Sequence, residues 1–425
     1  MLHTTRRRFV LGSLGSLGLP LIPGVLQANE TAGKTVALSA TDPAWKEIQA
    51  LYTVNRNLSN LENGYWGAMP NPVLAAYKKN TDFINFENTG YARSNFATEL
   101  DVVRQQVADA VGADVSEIAL TRGATEALQK LISGYNALQQ NDVVAYSDLD
   151  YDSMQYAMNW LQQRRGVQVK TFTIPEPATT QNVLDTYSDI LNTPRLKLLL
   201  LTHLSHRTGL VLPVAQITQM ARAKGVDVIV DAAHSWGQID FNVKDLHSDF
   251  VGFNLHKWIS APVGVGFMYI AKNRLKDIDR DYGDKDYAED DIRSRVHTGT
   301  TNFAALLTVP VALKLHKDIT AKAKQERLTY LRNYWVDGLR NNKDIQVLTP
   351  EDPAMYAGIT SFRFKNGTSK QQNNNLVKTL KDKHGVLTVR RGGIHGGDAI
   401  RISPALYTRD QDLDKFVTAM NALSK

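Results

Sequence analysis

The sequence predicts an α/β protein with a mostly parallel sheet, followed by a smaller α+β domain. Helical patterns alternate with short apolar runs, as they do where crossover helices connect neighbouring parallel strands. The apolar runs lie at residues 142–146, 167–174, 196–202, 226–230, 250–253 and 265–270. After a long helical pattern, further strand patterns lie at residues 358–364, 386–390 and 399–402. We therefore expect a large domain over residues 45–308 and a small domain over residues 309–425.

The N-terminal region differs in composition from the rest of the chain. Residues 1–28 carry three consecutive arginines and a long apolar stretch, and they contain no acidic residue. This arrangement is typical of an export signal, and Arg6 and Arg7 followed by Phe9 are typical of the twin-arginine type. A transmembrane helix is the alternative, which the prolines and glycines within the stretch disfavour. We expect a periplasmic protein that the twin-arginine export machinery transports, with residues 29–44 as a linker after the cleaved signal.

The composition excludes several classes of function. The formal net charge of +6 includes the three arginines of the signal, and the other basic residues are interspersed with acidic ones. We therefore expect no nucleic-acid binding. The chain has no cysteine, which rules out a disulfide and a thiolate nucleophile. The histidines do not follow a spacing typical of metal ligands, and we expect no metal site.

A carboxylate and a lysine follow two of the predicted strands. Asp231 ends the apolar run at 226–230, and Lys257 comes shortly after the run at 250–253. Because the carboxyl ends of parallel strands meet at one edge of a sheet, both side chains can converge there. A lysine amine forms a Schiff base with an aldehyde, and an aspartate keeps a pyridine nitrogen protonated. This pair predicts a site for pyridoxal 5'-phosphate (PLP), with Lys257 and Asp231 as catalytic residues.

A glycine-containing turn at residues 121–128 predicts where a phosphate group binds. The segment follows a short strand pattern and opens a helix. The free N–H groups and the positive end of the dipole at a helix N-terminus attract anions, and Gly123 permits close approach of the backbone. Ala124 and Thr125 lie in the same turn, where Thr125 can add a hydroxyl group. For the segment alone, an ordinary capped helix start is the alternative.

Together with the pair His256-Lys257 and the segment Gly264-Val265-Gly266, these motifs resemble the class V aminotransferase family of fold-type I PLP-dependent enzymes. The similarity is greatest to the isopenicillin N epimerase-like branch, which includes exported PLP enzymes of pyoverdine maturation. It extends over roughly residues 45–420. The resemblance implies a large domain with a seven-stranded sheet, and a homodimer with shared active sites.

The resemblance also implies roles for individual residues. Tyr151 would stack on the cofactor ring, at a position where the family more often has histidine. The other cofactor contacts that it implies are His206, Thr208, His234, Asn254, His256 and, from the neighbouring subunit, Thr300. Arg401 would bind the substrate carboxylate through its two-pronged guanidinium group. Arg391 would lie above the site, and Asn63 and Gly64 would contribute to the substrate pocket.

These observations predict an exported PLP-dependent enzyme that acts on the amino group or the α-carbon of an amino-acid moiety. The aminotransferase and epimerase types both fit, because Lys257 can serve as a proton shuttle at the α-carbon in either reaction. The substrate would be a small molecule or a peptide-like amino-acid compound. A PLP-dependent β-lyase is an alternative enzyme, and a non-catalytic binding protein that retains the fold is an alternative of another class. The cysteine-thiolate chemistry of the family's desulfurases is excluded, since the chain has no cysteine.

Overall fold

The computed structural model describes residues 38–424, which all belong to one compact unit. The predicted export signal and the first part of the predicted linker, residues 29–37, lie outside the described residues. Residues 38–44, the rest of that linker, include turns. They contact the folded chain, where Arg327 donates a hydrogen bond to the Ala40 carbonyl (2.9 Å). Within residues 38–424, none of the helices is both long and apolar enough to cross a membrane.

The strands form three sheets. In chain order they are β1 (Ser59–Asn60), β2 (Ile118–Thr121), β3 (Val143–Ser147), β4 (Gln168–Phe172), β5 (Leu196–Thr202), β6 (Asp227–Asp231), β7 (Phe250–Asn254), β8 (Gly266–Ile270), β9 (Ile345–Val347), β10 (Thr360–Phe364), β11 (Val386–Leu387), β12 (Val389–Arg391) and β13 (Ala399–Ile402). A seven-stranded sheet has the order β2-β8-β7-β6-β5-β3-β4, in which only β8 is antiparallel to its neighbours. A four-stranded antiparallel sheet has the order β12-β13-β10-β9. The predicted α/β fold with a mostly parallel seven-stranded sheet is confirmed.

Helices connect the parallel strands and cover the sheets. They are α1 (Trp45–Ala50), α2 (Asn71–Ser94), α3 (Phe96–Val111), α4 (Ala124–Gly134), α5 (Asp152–Arg165), α6 (Thr180–Leu191), α7 (Val214–Ala223), α8 (Phe303–Ile319), α9 (Ala321–Leu339), α10 (Lys370–His384) and α11 (Asp410–Leu423). Helix α10 begins after a capping box formed by Ser369 and Gln372, and it ends at Gly385 in the left-handed conformation. The predicted domain boundary at 308/309 falls inside α8, and the division into two domains stays a prediction.

The central sheet is buried on both faces. Along β5, Leu199 and Leu201 point into one apolar cluster, whereas Leu198 and Leu200 point into another on the opposite face. Alternate side chains of a strand face opposite sides of its sheet, and a parallel sheet covered by helices therefore reads as a continuous apolar run. This double burial holds the carboxyl ends of the strands rigidly in place.

The N-terminal segment crosses to the four-stranded sheet before the large sheet begins. β1 pairs in parallel with β11, and Glu62 forms a β-bridge with Ser403 just beyond β13. The strand pattern predicted at 386–390 is two strands rather than one, because β11 pairs with β1 whereas β12 pairs with β13. This pairing brings residues 62–64 beside Arg401 of β13.

Candidate active site

Strands β2, β5, β6 and β7 all end at one cavity of about 550 Å³. Most of the residues that the sequence predicted for the site line this cavity: Gly64, Gly123, Ala124, Thr125, Tyr151, His206, Asp231, His234, Asn254, His256, Lys257, Arg391 and Arg401. Residues far apart in the chain meet there because the parallel strands deliver their following loops to one edge. We call it the main cavity.

Three predicted residues do not line the main cavity. The Thr208 hydroxyl accepts a hydrogen bond from the N–H of Leu210 (3.2 Å), within its own turn. The Asn63 amide donates to the Ser403 carbonyl (2.9 Å) and holds the N-terminal segment in place. The geometry therefore does not support direct contacts of Thr208 and Asn63 with a ligand in the main cavity. Thr300 is exposed on the surface, and its predicted contact with a neighbouring subunit stays a prediction.

The Lys257 amine lies against a neutral histidine. Its Nζ is 2.9 Å from Nε2 of His234, and the Trp258 indole N–H points at Nδ1 of the same ring (3.4 Å). Burial lowers the pKa of His234 well below its ordinary value. With Nδ1 accepting from Trp258, the ring proton is on Nε2, which can donate only to an uncharged amine. Burial also lowers the pKa of Lys257 to about 7, against the opposing effect of the Asp231 charge.

Asp231 is the carboxylate at the end of β6. It is buried, and Oδ1 accepts a hydrogen bond from the N–H of Ala233 (2.9 Å). Burial raises its pKa, while that hydrogen bond and the Lys257 charge lower it. A buried carboxylate gains most from a cationic partner, because it has lost the stabilisation that water gives its charge. Asp231 is therefore suited to hold the protonated nitrogen of a pyridine ring.

Asp150 is a second buried carboxylate at this edge of the sheet, and the sequence analysis did not assign it a role. Asp150 accepts hydrogen bonds from the N–H and the hydroxyl of Thr202 (2.9 and 2.7 Å) and from the N–H of Ser147 (2.7 Å). Burial raises the pKa of Asp150 to about 6. These bonds tie the carboxyl ends of β3 and β5 together. The signal in the sequence was an acidic residue three positions after a buried strand.

The N-terminus of α4 opens onto the main cavity. The Asn254 amide oxygen accepts a hydrogen bond from the N–H of Ala124 (2.8 Å) and positions the first turn. A Cβ atom at Gly123 would lie only 3.1 Å from that oxygen and 3.2 Å from Cε1 of His256, so glycine lets these groups approach closely. The N-terminal turn, with Thr125, is a suitable anion site.

The strand that follows Lys257 is packed against the same turn. A Cβ atom at Gly266 would lie 2.6 Å from Cα of Gly123, which explains the glycine at the start of β8. His256 places Nδ1 3.0 Å from the Val265 carbonyl. Because a carbonyl only accepts, Nδ1 carries the proton and the ring orientation is defined. The amine, the carboxylate and the helix N-terminus thus face one cavity, and this donor set fits PLP.

Two aromatic rings stand over the cavity. The rings of Tyr151 and His206 are nearly perpendicular, with centroids 5.2 Å apart. Burial lowers the pKa of His206 well below its ordinary value, so the neutral form of the imidazole is favoured. Tyr151 is 39% exposed, so a face of its ring remains open to a flat ligand.

Two arginines line the main cavity, and both pair with a carboxylate just outside it. Arg401 is almost fully buried and donates from Nη2 to Oε1 of Glu62 (2.6 Å) and from Nη1 to the His206 carbonyl (3.0 Å). Arg391 also donates to Glu62 (3.3 Å). A Cβ atom at Gly64 would lie 2.5 Å from Nη2 of Arg401, so glycine permits this packing. Glu62 was not predicted, although its neighbours Asn63 and Gly64 were.

These features define the class of protein: a PLP-dependent enzyme with the cofactor site at the edge of a parallel sheet. The chain belongs to the class V aminotransferase family, whose model (Aminotransferase class-V) matches residues 68–416.

Individual relatives extend this similarity over most of the chain. Isopenicillin N epimerase from Streptomyces clavuligerus is 24% identical over 400 residues, which cover 89% of this chain and 98% of the relative. The cysteine desulfurase CsdA from Escherichia coli has a similar structure, with a TM-score of 0.75, 21% identity and coverage of 89% and 98% of the two chains. The K223A mutant of C-DES, solved with glycine covalently linked to PLP, matches with a TM-score of 0.75 and 21% identity over 86% of this chain and 96% of its own.

Proposed function

We propose that this protein is an exported PLP-dependent enzyme that acts on the amino group or the α-carbon of an amino-acid moiety, as an aminotransferase or an epimerase. When bound, the cofactor supplies an aldehyde that holds the amino group and a ring that accepts electrons from the α-carbon. The observation that carries the proposal is the buried Lys257 amine, with a pKa lowered to about 7, in a cavity that also contains Arg401.

The residues of the main cavity suit proton transfer at an α-carbon. A neutral amine accepts a proton and returns it, and an amine with a pKa near 7 does both at neutral pH. Arg401 can hold a carboxylate, which orients the α-carbon relative to Lys257. The isopenicillin N epimerase relative supports the epimerase type, and the family supports the aminotransferase type. The chain has no cysteine that could act on sulfur as a nucleophile.

The test is exchange of the α-proton of amino acids in D₂O, measured by mass spectrometry on purified, PLP-loaded enzyme. We expect exchange with wild type and none with Lys257→Ala. The product then assigns the reaction. An oxo acid that keeps the substrate side chain, with the amino group passed to an added oxo-acid acceptor, identifies an aminotransferase. Inverted configuration with the amino group retained identifies an epimerase, and pyruvate released together with ammonia and the β-substituent identifies a β-lyase. A wild-type enzyme that binds amino acids but exchanges none would contradict the proposal and favour a non-catalytic binding protein.

We also propose transport to the periplasm by the twin-arginine machinery. The support is the sequence of residues 1–28, in which Arg6 and Arg7 are followed by Phe9. Replacing Arg6 and Arg7 together by lysine conserves charge and should retain the precursor in the cytoplasm. Arg8→Lys is the matched control and should be exported normally. Mature protein outside the cytoplasm in the double variant would show that another signal operates.

A homodimer with shared sites completes the proposal. It is supported by family membership and by the exposed position of Thr300, which is free to contact another subunit. Light scattering should give the mass of a dimer. In hybrid dimers of Lys257→Ala and Thr300→Ala chains, one site would carry both changes and the other neither, so mixing should restore activity. A monomer in solution would remove Thr300 from the active site.

A further inference from the structure

A second cavity of about 810 Å³ adjoins the main cavity, and we call it the side cavity. Its lining is mainly apolar and comes from the N-terminal segment and the four-stranded sheet: Val54, Asn55, Leu58, Asn60, Glu62, Asn63, Tyr65, Trp66, Ala68, Leu387, Val389, Arg391 and Tyr407. Its volume is in the range of pockets that bind whole small molecules.

The two cavities adjoin each other at shared lining residues. Tyr65 and Arg391 line both of them. Glu62 also lines the side cavity, and its carboxylate receives hydrogen bonds from Arg391 and from Arg401 of the main cavity. A molecule whose carboxylate lies near Arg401 can therefore extend past Arg391 into the side cavity.

Tyr65 and Trp66 form an aromatic rim beside the side cavity, and the residue that follows them packs against the backbone of the reactive lysine. The N–H of Gly67 donates to the His256 carbonyl (2.8 Å), and a Cβ atom at Gly67 would lie only 1.9 Å from the Lys257 carbonyl oxygen. This backbone contact holds the preceding residues, Tyr65 and Trp66, in place, with side chains that are 71% and 51% exposed. Large exposed aromatic residues beside a pocket are typical of binding surfaces.

The charges of the side cavity define the kind of group that it accepts. Glu62 and Arg391 are the carboxylate and the guanidinium in its lining, and they pair with each other at the junction (3.3 Å). The remaining walls include Val54, Leu58 and Val389. An uncharged apolar or aromatic group gains from burial there, whereas a charged group would lose hydration without a free partner.

We propose that the side cavity binds the remote, uncharged and mainly apolar part of the substrate, while its amino-acid moiety reacts at Lys257. This inference rests on the proposed function and adds the substrate class: an amino acid whose side chain carries an apolar or aromatic group. A free small amino acid would occupy only the main cavity and would leave this binding energy unused.

The probes are L-glutamine and γ-L-glutamyl anilide, which share the amino-acid end and the amide and differ by one phenyl ring. We expect the anilide to bind the PLP-loaded enzyme at least about tenfold more tightly in calorimetry, since apolar groups even smaller than a phenyl ring give that discrimination in a pocket. Leu58→Trp narrows the side cavity with a bulky ring and should reduce the difference severalfold. Val263→Trp, at an apolar residue that is 61% exposed elsewhere, is the control and should retain it.

A second pair of variants covers the case in which Leu58→Trp does not fold. Trp66→Ala removes a ring of the rim and should reduce the preference for the anilide severalfold. Trp160→Ala, at a tryptophan 40% exposed on α5, should leave it unchanged. Equal affinity for both compounds in wild type, no binding of the anilide, or a preference that survives both cavity variants overturns the proposal.

Three further outcomes separate this inference from its rivals. Exchange of the α-proton in both compounds with equal affinities would overturn the side-cavity proposal and leave the proposed function standing. Tight binding of the anilide without proton exchange would overturn the proposed function and leave the binding of an apolar group in the side cavity standing. If Leu58→Trp lowers the dimer mass in light scattering and leaves the preference intact, a second subunit covers the side cavity and the proposal is wrong.

Discussion

The two ends of the main cavity are built in different ways. At the cofactor end, Asp231 ends β6 and Lys257 follows the adjacent strand β7, and burial favours the uncharged forms of both groups. At the anion end, Arg391 and Arg401 come from the four-stranded sheet and pair with Glu62, 329 and 339 residues away in the chain. The first end is suited to chemistry, whereas the second is suited to substrate selection.

This difference separates two kinds of effect. Removing a group at the cofactor end should lower kcat, because the group acts on the reacting atoms. Changing a group at the anion end should alter KM, because the ion pairs there hold a carboxylate in the substrate and in the transition state alike.

The largest effect is expected from Lys257→Ala. The change removes both cofactor attachment and the proton carrier, and we expect kcat to fall by about 10,000-fold. Steady-state turnover with the best amino-acid substrate measures it. Lys314→Ala, on the exposed surface of α8, is the control and should keep full activity. A Lys257→Ala enzyme with more than a small fraction of wild-type kcat would contradict the account.

Asp231→Asn should lower kcat by about 100- to 1,000-fold, as loss of a charge placed for the transition state does in other enzymes. It should also change the pH dependence of cofactor uptake. The Asp231 charge raises the pKa of Lys257, which burial lowers to about 7. Without that charge, the amine is neutral at lower pH, and the midpoint for PLP incorporation into the cofactor-free protein should shift below 7. An unchanged midpoint would mean that the two groups do not interact.

Arg401→Lys tests the anion end. The ammonium keeps the charge but loses the two-pronged geometry, at a cost of roughly 1.5 to 3 kcal/mol, or about tenfold to a hundredfold in KM. The absorbance of the bound cofactor should not change. Arg391→Lys should have a smaller effect, because the Arg391 side chain is 25% exposed. If KM stays the same in Arg401→Lys, the carboxylate binds elsewhere.

Glu62→Gln should have the smallest effect, with the opposite sign. Glu62 neutralises part of the charge of Arg401 and Arg391, and glutamine keeps its shape without the charge. A substrate carboxylate should then bind more tightly by about 1 kcal/mol, which lowers KM about fivefold. A higher KM in this variant would show that Glu62 serves only to orient Arg401.

The cofactor end could be predicted from the sequence because its residues follow strands directly. The runs that end at Asp231 and Asn254 are mainly apolar, with Asp227 as the charged exception, so the edge at which they end is defined by local pattern. Gly123 was predictable for the same reason, since it lies where β2 turns into α4.

The side chains that face each other at the anion end could not be predicted from local sequence patterns. The segment around Asn63 lies beside Arg401, but the sequence could not specify which of its side chains faces that arginine, because alternate residues of an extended segment face opposite ways. Glu62 and Gly64 face Arg401, whereas Asn63 faces Ser403. The register comes from the bridge between Glu62 and Ser403, a contact that no local pattern specifies. The hydrogen bond that the Thr208 hydroxyl accepts within its own turn was likewise not visible in the sequence, and its contact with the cofactor stays a prediction.

The most direct test of the account is to identify the lysine that holds the cofactor. Lys324 is the stringent comparison, because burial lowers its pKa to about 7 as well, and it donates a hydrogen bond to the Trp258 carbonyl (2.6 Å) near the site. Reduction of the PLP-loaded enzyme with borohydride, followed by peptide mass mapping, should place the cofactor on Lys257 alone. Cofactor on Lys324 or any other lysine, with Lys257 unmodified, would contradict the assignment on which the whole site is built.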